Sequence, residues 1–134
     1  MEQKERRAFY CDCVLPVILG NQNKAHALAG RLFAKYGVWS IICDRHIRLL
    51  NVLNFKCGFL QLSNPQEQRL TVEQLKSLAE ERTEYILILV PTNEYYAEFL
   101  RNNRSALESE FIIVNSPSEL DTLSIFSPSS NTIY

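Results

Sequence analysis

Gly20, Asn21, Gln22, Asn23 and Lys24 are the residues of this chain best placed to do chemistry, a small-then-polar run that follows the apolar Val17-Ile18-Leu19 and leads into a helical pattern. Free N–H groups at a helix start carry partial positive charge, so such a turn favours a carboxylate or a phosphate, and Lys24 would add a full charge. The competing reading is that Asn21, Gln22 and Asn23 only make and cap the turn. Two further polar pairs follow apolar runs: Asp44 and Arg45 after Trp39 to Cys43, and Thr92 and Asn93 after the run YILILVP. Gly20, Asn21, Gln22, Thr92 and Asn93 are therefore the candidate lining of a substrate crevice, with Asp44 and Arg45 at its edge.

Other chemistry is poorly supported. Asp44 lies 24 residues beyond Gly20, near where a ribose-binding acid stands in dinucleotide sites, but Gln22 occupies the position of the glycine that lets backbone approach a pyrophosphate. His26 and His46 have no Ser, Cys or acid at triad spacing, and read as surface or half-buried side chains. Cys11 and Cys13 form a CxC pair without a second ligand pair, while Cys43 and Cys57 fall in or beside apolar runs, so reduced thiols are expected and no metal. Tyr95 and Tyr96 could stack on a ligand ring, though core and rim packing is the commoner use.

These residues need elements to hold them. Ala25, Leu28, Ala29, Leu32 and Phe33 mark one helix face, and Gly37 stops it where a left-handed residue is expected. With strands over Val17 to Leu19 and Trp39 to Cys43, this is a βαβ unit. Beyond it, Ile47, Leu50, Val52 and Leu53 suggest a short helix, and Cys57 to Leu62 a third strand. Thr71 and Gln74 read as a capping box opening a helix that buries Leu75, Leu78 and Ala79. Tyr85 to Val90 is the clearest strand. Thr92 or Asn93 caps the next helix, which turns Tyr96, Phe99 and Leu100 inward; Ser105 and Glu108 form another capping box. A fifth strand follows at Phe111 to Val114, and a last helix begins at about Pro117 behind Ser116.

The alternation predicts an α/β fold: a Rossmann-like doubly wound parallel sheet of about five strands with helices on both faces. Ligands bind such sheets beyond the carboxyl ends of the strands, where the strand order reverses. Residues 1–12 are expected to form a flexible arm with an extended end, residues 13–123 one α/β domain, and residues 124–134 a loose, Ser-rich tail.

With 134 residues and 46% of them apolar, the chain has room for one core and no second full domain. Its 14 basic and 15 acidic residues leave a net charge of -1, which removes the electrostatic attraction that drives nucleic-acid binding. No apolar run approaches the length of a membrane span, and the amino terminus lacks signal-peptide features, so a cytoplasmic protein is expected.

The runs LPVILGNQNKAHALAGRLFAKYGVWSIICD and YILILVPTNEYYAEFLRNNRSALESEFIIVNSP resemble the amino-terminal, pre-ATP-grasp domain of ATP-grasp carboxylate-amine ligases of the D-aspartate-ligase or carbamoyl-phosphate-synthase-like type. The resemblance spans roughly residues 14 to 120. It implies a substrate-side domain that packs against an ATP-grasp catalytic domain, in cis or in trans, and binds an amino acid or carboxylate with the Gly20 to Asn23 loop facing the shared cleft. It departs from the family at Gln22, where a second glycine is common. ATP and Mg are implied only for the ATP-grasp domains, and no cofactor or catalytic residue for this chain. The alternative is a standalone small-molecule-binding or regulatory module of the same fold; a homodimer is open under either.

Overall fold

The computed structural model describes residues 13–20, 22–45, 57–62 and 67–126. They form a five-stranded, wholly parallel sheet in the order β3-β2-β1-β4-β5, the Rossmann-like arrangement expected. The strands are β1 (Val14–Leu19), β2 (Ser40–Asp44), β3 (Cys57–Gln61), β4 (Ile86–Pro91) and β5 (Ile112–Ile113). Parallel neighbours must be joined by crossovers: α1 (Gln22–Tyr36) links β1 to β2, α2 (Gln68–Glu81) lies between β3 and β4, and α3 (Glu94–Asn102) with α4 (Arg104–Leu107) lies between β4 and β5.

Alternation along the strands divides two cores. Leu15, Val17 and Leu19 of β1, Ile41 and Cys43 of β2, and Leu87 and Leu89 of β4 face α2, α3 and α4, where Leu75, Phe99, Leu100 and Leu107 meet them. Val14, Ile18, Ile42, Ile88 and Val90 face the other way, onto Ala25, Leu28, Ala29 and Leu32 of α1 and onto Leu120 and Phe126. Burying each such Leu or Ile contributes roughly 1.5–3 kcal/mol before chain entropy is set against it. The continuous apolar runs follow from this two-sided burial: all six residues of β1 are buried.

Pro16 stands inside the central strand, where a missing N–H is costly. Backbone groups of Cys13 and Leu19 face β4, through bonds from Ile86 and Thr92, while Gly20 faces β2 by donating to Cys43. The alternation puts the gap left by Pro16 on the β2 side, one residue before the β1–β2 pairing begins at Val17 and Ile41. Trp39, expected inside the second buried strand, lies just ahead of it and is 51% exposed. Its ring meets Phe33 edge-on at 6.1 Å.

Two helix starts differ from expectation. α2 begins at Gln68, so Thr71 lies within the helix, buried against the core, and Gln74 Nε2 donates to the Gln61 carbonyl, tying α2 to β3 instead of closing a capping box. α4 is capped at Asn103 without a side-chain bond, which leaves Ser105 inside its single turn. The segment from Pro117 is a 3-10 helix to Thr122, followed by a second at Ser124–Phe126. Phe126 is buried, so the packed part extends at least three residues past the expected boundary at 123. The expected arm at 1–12, the short helix around residues 47–53 and the tail from 127 lie outside the described residues. Among the described residues no helix is long and apolar enough to cross a membrane.

Candidate functional site

Because all strands run the same way, Leu19, Asp44, Gln61 and Pro91 end along one rim, in register across the sheet. The chain leaves β1 toward one face, through α1, and leaves β4 toward the other, through α3, so the strand order reverses between them. That junction is where the sequence places its candidates.

Gly20 is held at φ +109°, a backbone conformation that side chains disfavour. Its N–H donates to the Cys43 carbonyl at 2.9 Å. A Cβ there would lie 2.7 Å from Thr92 Oγ1, 2.9 Å from Asn93 Nδ2 and 3.0 Å from Cδ2 of Tyr96. The glycine serves two ends at once, the turn out of β1 and the close approach of the β4–α3 junction.

Thr92 is buried, and both its N–H and its hydroxyl donate to the Leu19 carbonyl, at 2.9 and 2.8 Å. It clamps β4 to β1. Asn93 is exposed and caps α3, accepting from the Tyr96 N–H at 2.9 Å through Oδ1. Three of the seven candidates, Gly20, Thr92 and Asn93, therefore meet directly. Gln22 opens α1, and Asn21 lies outside the described residues.

Asp44 ends β2 half-buried; its Oδ1 accepts from the exposed Arg45 N–H at 2.7 Å, and its carbonyl accepts from Leu62. The Tyr96 phenol links this pair to the junction. Burial, then the charge of Asp44, raises its pKa to about 12, with Tyr95 and Cys43 adding to the rise and Arg45 opposing it. The end of β2 and the start of α3 thus share one electrostatic neighbourhood. The helix face expected to turn inward does so: Tyr96 is 5% exposed and lies over Gly20, whereas Tyr95 is 40% exposed and meets it edge-on at 4.9 Å.

Burial drives the Cys43 thiol well above its ordinary range, with Asp44 adding to the effect. Cys43 and Tyr96 both stay protonated at neutral pH, so neither is a ready nucleophile or base. Among the described residues no three His, Cys, Asp or Glu side chains gather as metal ligands. His26 is half-buried against Phe59, ring centroids 5.6 Å apart, and burial lowers its pKa. His46 lies outside the described residues. The rim offers a carboxylate, a guanidinium and an aromatic edge, which suits holding a small polar molecule.

A groove of about 400 Å3 lies elsewhere, between α2 and β3, lined by Leu60, Leu70, Leu78, Gln74 and two glutamates. Its described lining also includes Ser77 and holds no cation, whereas the strand-end rim has Arg45, so the rim is the better candidate for an anionic ligand. Compared with protein-family models, with curated proteins and with solved structures, the chain finds no match.

Proposed function

We propose that the chain binds a small carboxylate or amino acid at the rim formed by Gly20, Asn21, Gln22, Asp44, Arg45, Thr92 and Asn93, as the substrate-side domain of an ATP-dependent carboxylate-amine ligase of the ATP-grasp type. The reading rests on one observation above others: the loops after β1 and β4 meet at the reversal of strand order, with Asp44 and Arg45 beside them. The ligase assignment adds the resemblance over residues 14 to 120, so ATP and Mg belong to a partnering ATP-grasp domain, in cis or in trans, and this chain supplies binding and orientation.

A second reading, a standalone binding module of the same fold, predicts a rim without a broad exposed apolar patch. Among the described residues, Tyr95 is the large apolar side chain exposed there; Trp39, Tyr85, Ile86 and Ile112 stand before or at the starts of their strands.

The test is a thermal-shift screen of the chain with amino acids, small carboxylates and ATP, coupled to inspection of neighbouring reading frames for an ATP-grasp domain. A shift with an amino acid or carboxylate and none with ATP agrees with the proposal, and an adjacent ATP-grasp frame selects the ligase reading. A shift with ATP on this chain alone contradicts the division of labour.

A further inference from the structure

We propose that the outer edge of β3, with the groove beside α2, is a docking site for an extended basic segment of another protein, which adds a strand to the sheet and sets apolar and cationic side chains against α2. It stands apart from the strand-end rim and does not depend on what binds there.

β3 ends the sheet on one side: among the described residues it pairs with β2 alone. Leu62 donates its N–H to the Asp44 carbonyl of β2, so the alternation of strand backbone turns the peptide groups of Phe59 and Gln61 outward. The Gln61 carbonyl accepts from Gln74 Nε2, while the Phe59 N–H and carbonyl and the Gln61 N–H have no backbone partner among the described residues. Edge strands are commonly kept from pairing with other chains by a charge, a proline or extreme shortness. β3 has none of these: it reads Cys-Gly-Phe-Leu-Gln, whereas β5 at the opposite edge is two residues long. Main-chain pairing along such an edge, with alternate side chains entering an adjoining groove, is a general mode of peptide recognition.

The groove selects the occupant. Leu70, Glu73, Gln74, Ser77 and Glu81 recur every three or four residues and form the side of α2 that overlooks Leu60. Leucines supply the apolar lining and two glutamates the charge; Arg82, outside the lining, lies 3.8 Å from Glu81 with both side chains exposed. A second copy paired antiparallel along β3 would place both α2 helices on one face of the joined sheet, glutamates toward glutamates, so like charge disfavours it. A cationic segment meets opposite charge instead. Glu73 and Glu81, eight residues apart on α2, are separated by about 12 Å along the helix axis. Positions i and i+4 of a strand are about 13 Å apart and share one face with i+2. The pattern Arg-x-Leu-x-Arg therefore brings one Arg to each glutamate and the Leu between them onto the leucine lining.

The probe is the capped peptide Thr-Arg-Thr-Leu-Thr-Arg-Thr, titrated into the 15N-labelled chain beside a version with Glu in place of both Arg. Saturable shifts of the Phe59, Gln61 and Glu73 amides are expected with the Arg peptide and none with the Glu peptide. The double variant Glu73→Lys, Glu81→Lys should bind the Arg peptide about tenfold more weakly or worse, with its thermal melt unchanged. N-methylation of alternate peptide amides separates strand addition from charge attraction: one of the two alternate sets should abolish binding and the other preserve it, because only every second N–H faces β3. The peptide comparisons use the wild type and need no variant to fold. Absence of a saturable shift with the Arg peptide, equal binding of the Glu peptide, or full binding by both methylated sets would overturn the proposal. So would a concentration-dependent dimer that protects the Phe59 and Gln61 amides from exchange, which would give the edge to a second copy.

Discussion

At the scale of single residues, Gly20 and Gly37 show how one residue type answers to two different constraints. Both have positive φ, +109° and +73°, but a Cβ at Gly37 meets nothing within 4 Å, whereas one at Gly20 strikes Thr92, Asn93 and Tyr96. Gly37→Ala should cost about 1 kcal/mol from backbone conformation alone. Gly20→Ala should cost about 3 kcal/mol or more, because strain and overpacking add; urea denaturation of the two variants checks the order. Asn93→Ala removes the α3 cap and should cost about 1 kcal/mol by the same measurement. Ser40 offers the opposite case: its hydroxyl is buried without a hydrogen-bond partner among the described residues, so Ser40→Ala should be neutral or stabilising by up to about 1 kcal/mol. A clear loss of stability there would show that the hydroxyl is satisfied after all.

The elements differ in how they are held. The 3-10 segment at Pro117–Thr122 has little intrinsic stability, and its place comes from Asp121, which accepts from Tyr36 and from Arg31 and Lys35 of α1 at 3.0 and 3.3 Å. Phe126 stacks on Tyr36 at 4.5 Å to complete the attachment. The Tyr36 hydrogen bond is the chief reason the Asp121 carboxyl sits below its ordinary value, with Arg31 and Lys35 acting the same way against burial. A depressed carboxylate pKa stabilises the fold above the unfolded value, near 3.8, and that stabilisation is lost as pH falls through the lower folded value. Asp121→Asn should therefore cost up to about 1 kcal/mol at neutral pH, as partly exposed ion pairs do. The difference from wild type should shrink below pH 3.8 in acid-unfolding curves. Faster proteolysis between residues 117 and 126 would accompany it. A helical segment from Pro117 was legible, but none of this attachment was, because it depends on residues some 85 to 90 positions apart.

At the scale of the whole molecule, the sheet grades from a fully supported centre to a thin edge. β1 is hydrogen-bonded on both sides and buried on both faces, whereas β5 is two residues long and, among the described residues, paired to β4 alone. Native-state hydrogen exchange should find the β1 and β4 amides slowest, and those of β5 faster by roughly tenfold or more; equal protection across the sheet would contradict this grading. Apolar runs of strand length, separated by helical periodicity, were enough to determine the α/β class, the parallel sheet and the approximate places of α1, α2 and α3, because burial on one face or two writes its period directly into the chain. Local signals likewise identified the Gly37 stop and narrowed the α3 cap to Thr92 or Asn93, the structure choosing Asn93, because the partners lie within a few residues. They failed where a side chain had a distant alternative: Thr71 is drawn into the core, Gln74 reaches β3, and Trp39 falls outside β2 because the Pro16 gap faces that strand's start. For the candidate site, sequence marked the strand ends that converge, while tertiary structure alone decided that Thr92, Asn93 and Tyr96 crowd Gly20, that Thr92 is a clamp between strands, and that Asp44 is half-buried while Arg45 and Tyr95 are exposed. The reason is physical: strand-end position follows from local pattern, but whether a polar group there is open or engaged depends on which distant segment packs beside it.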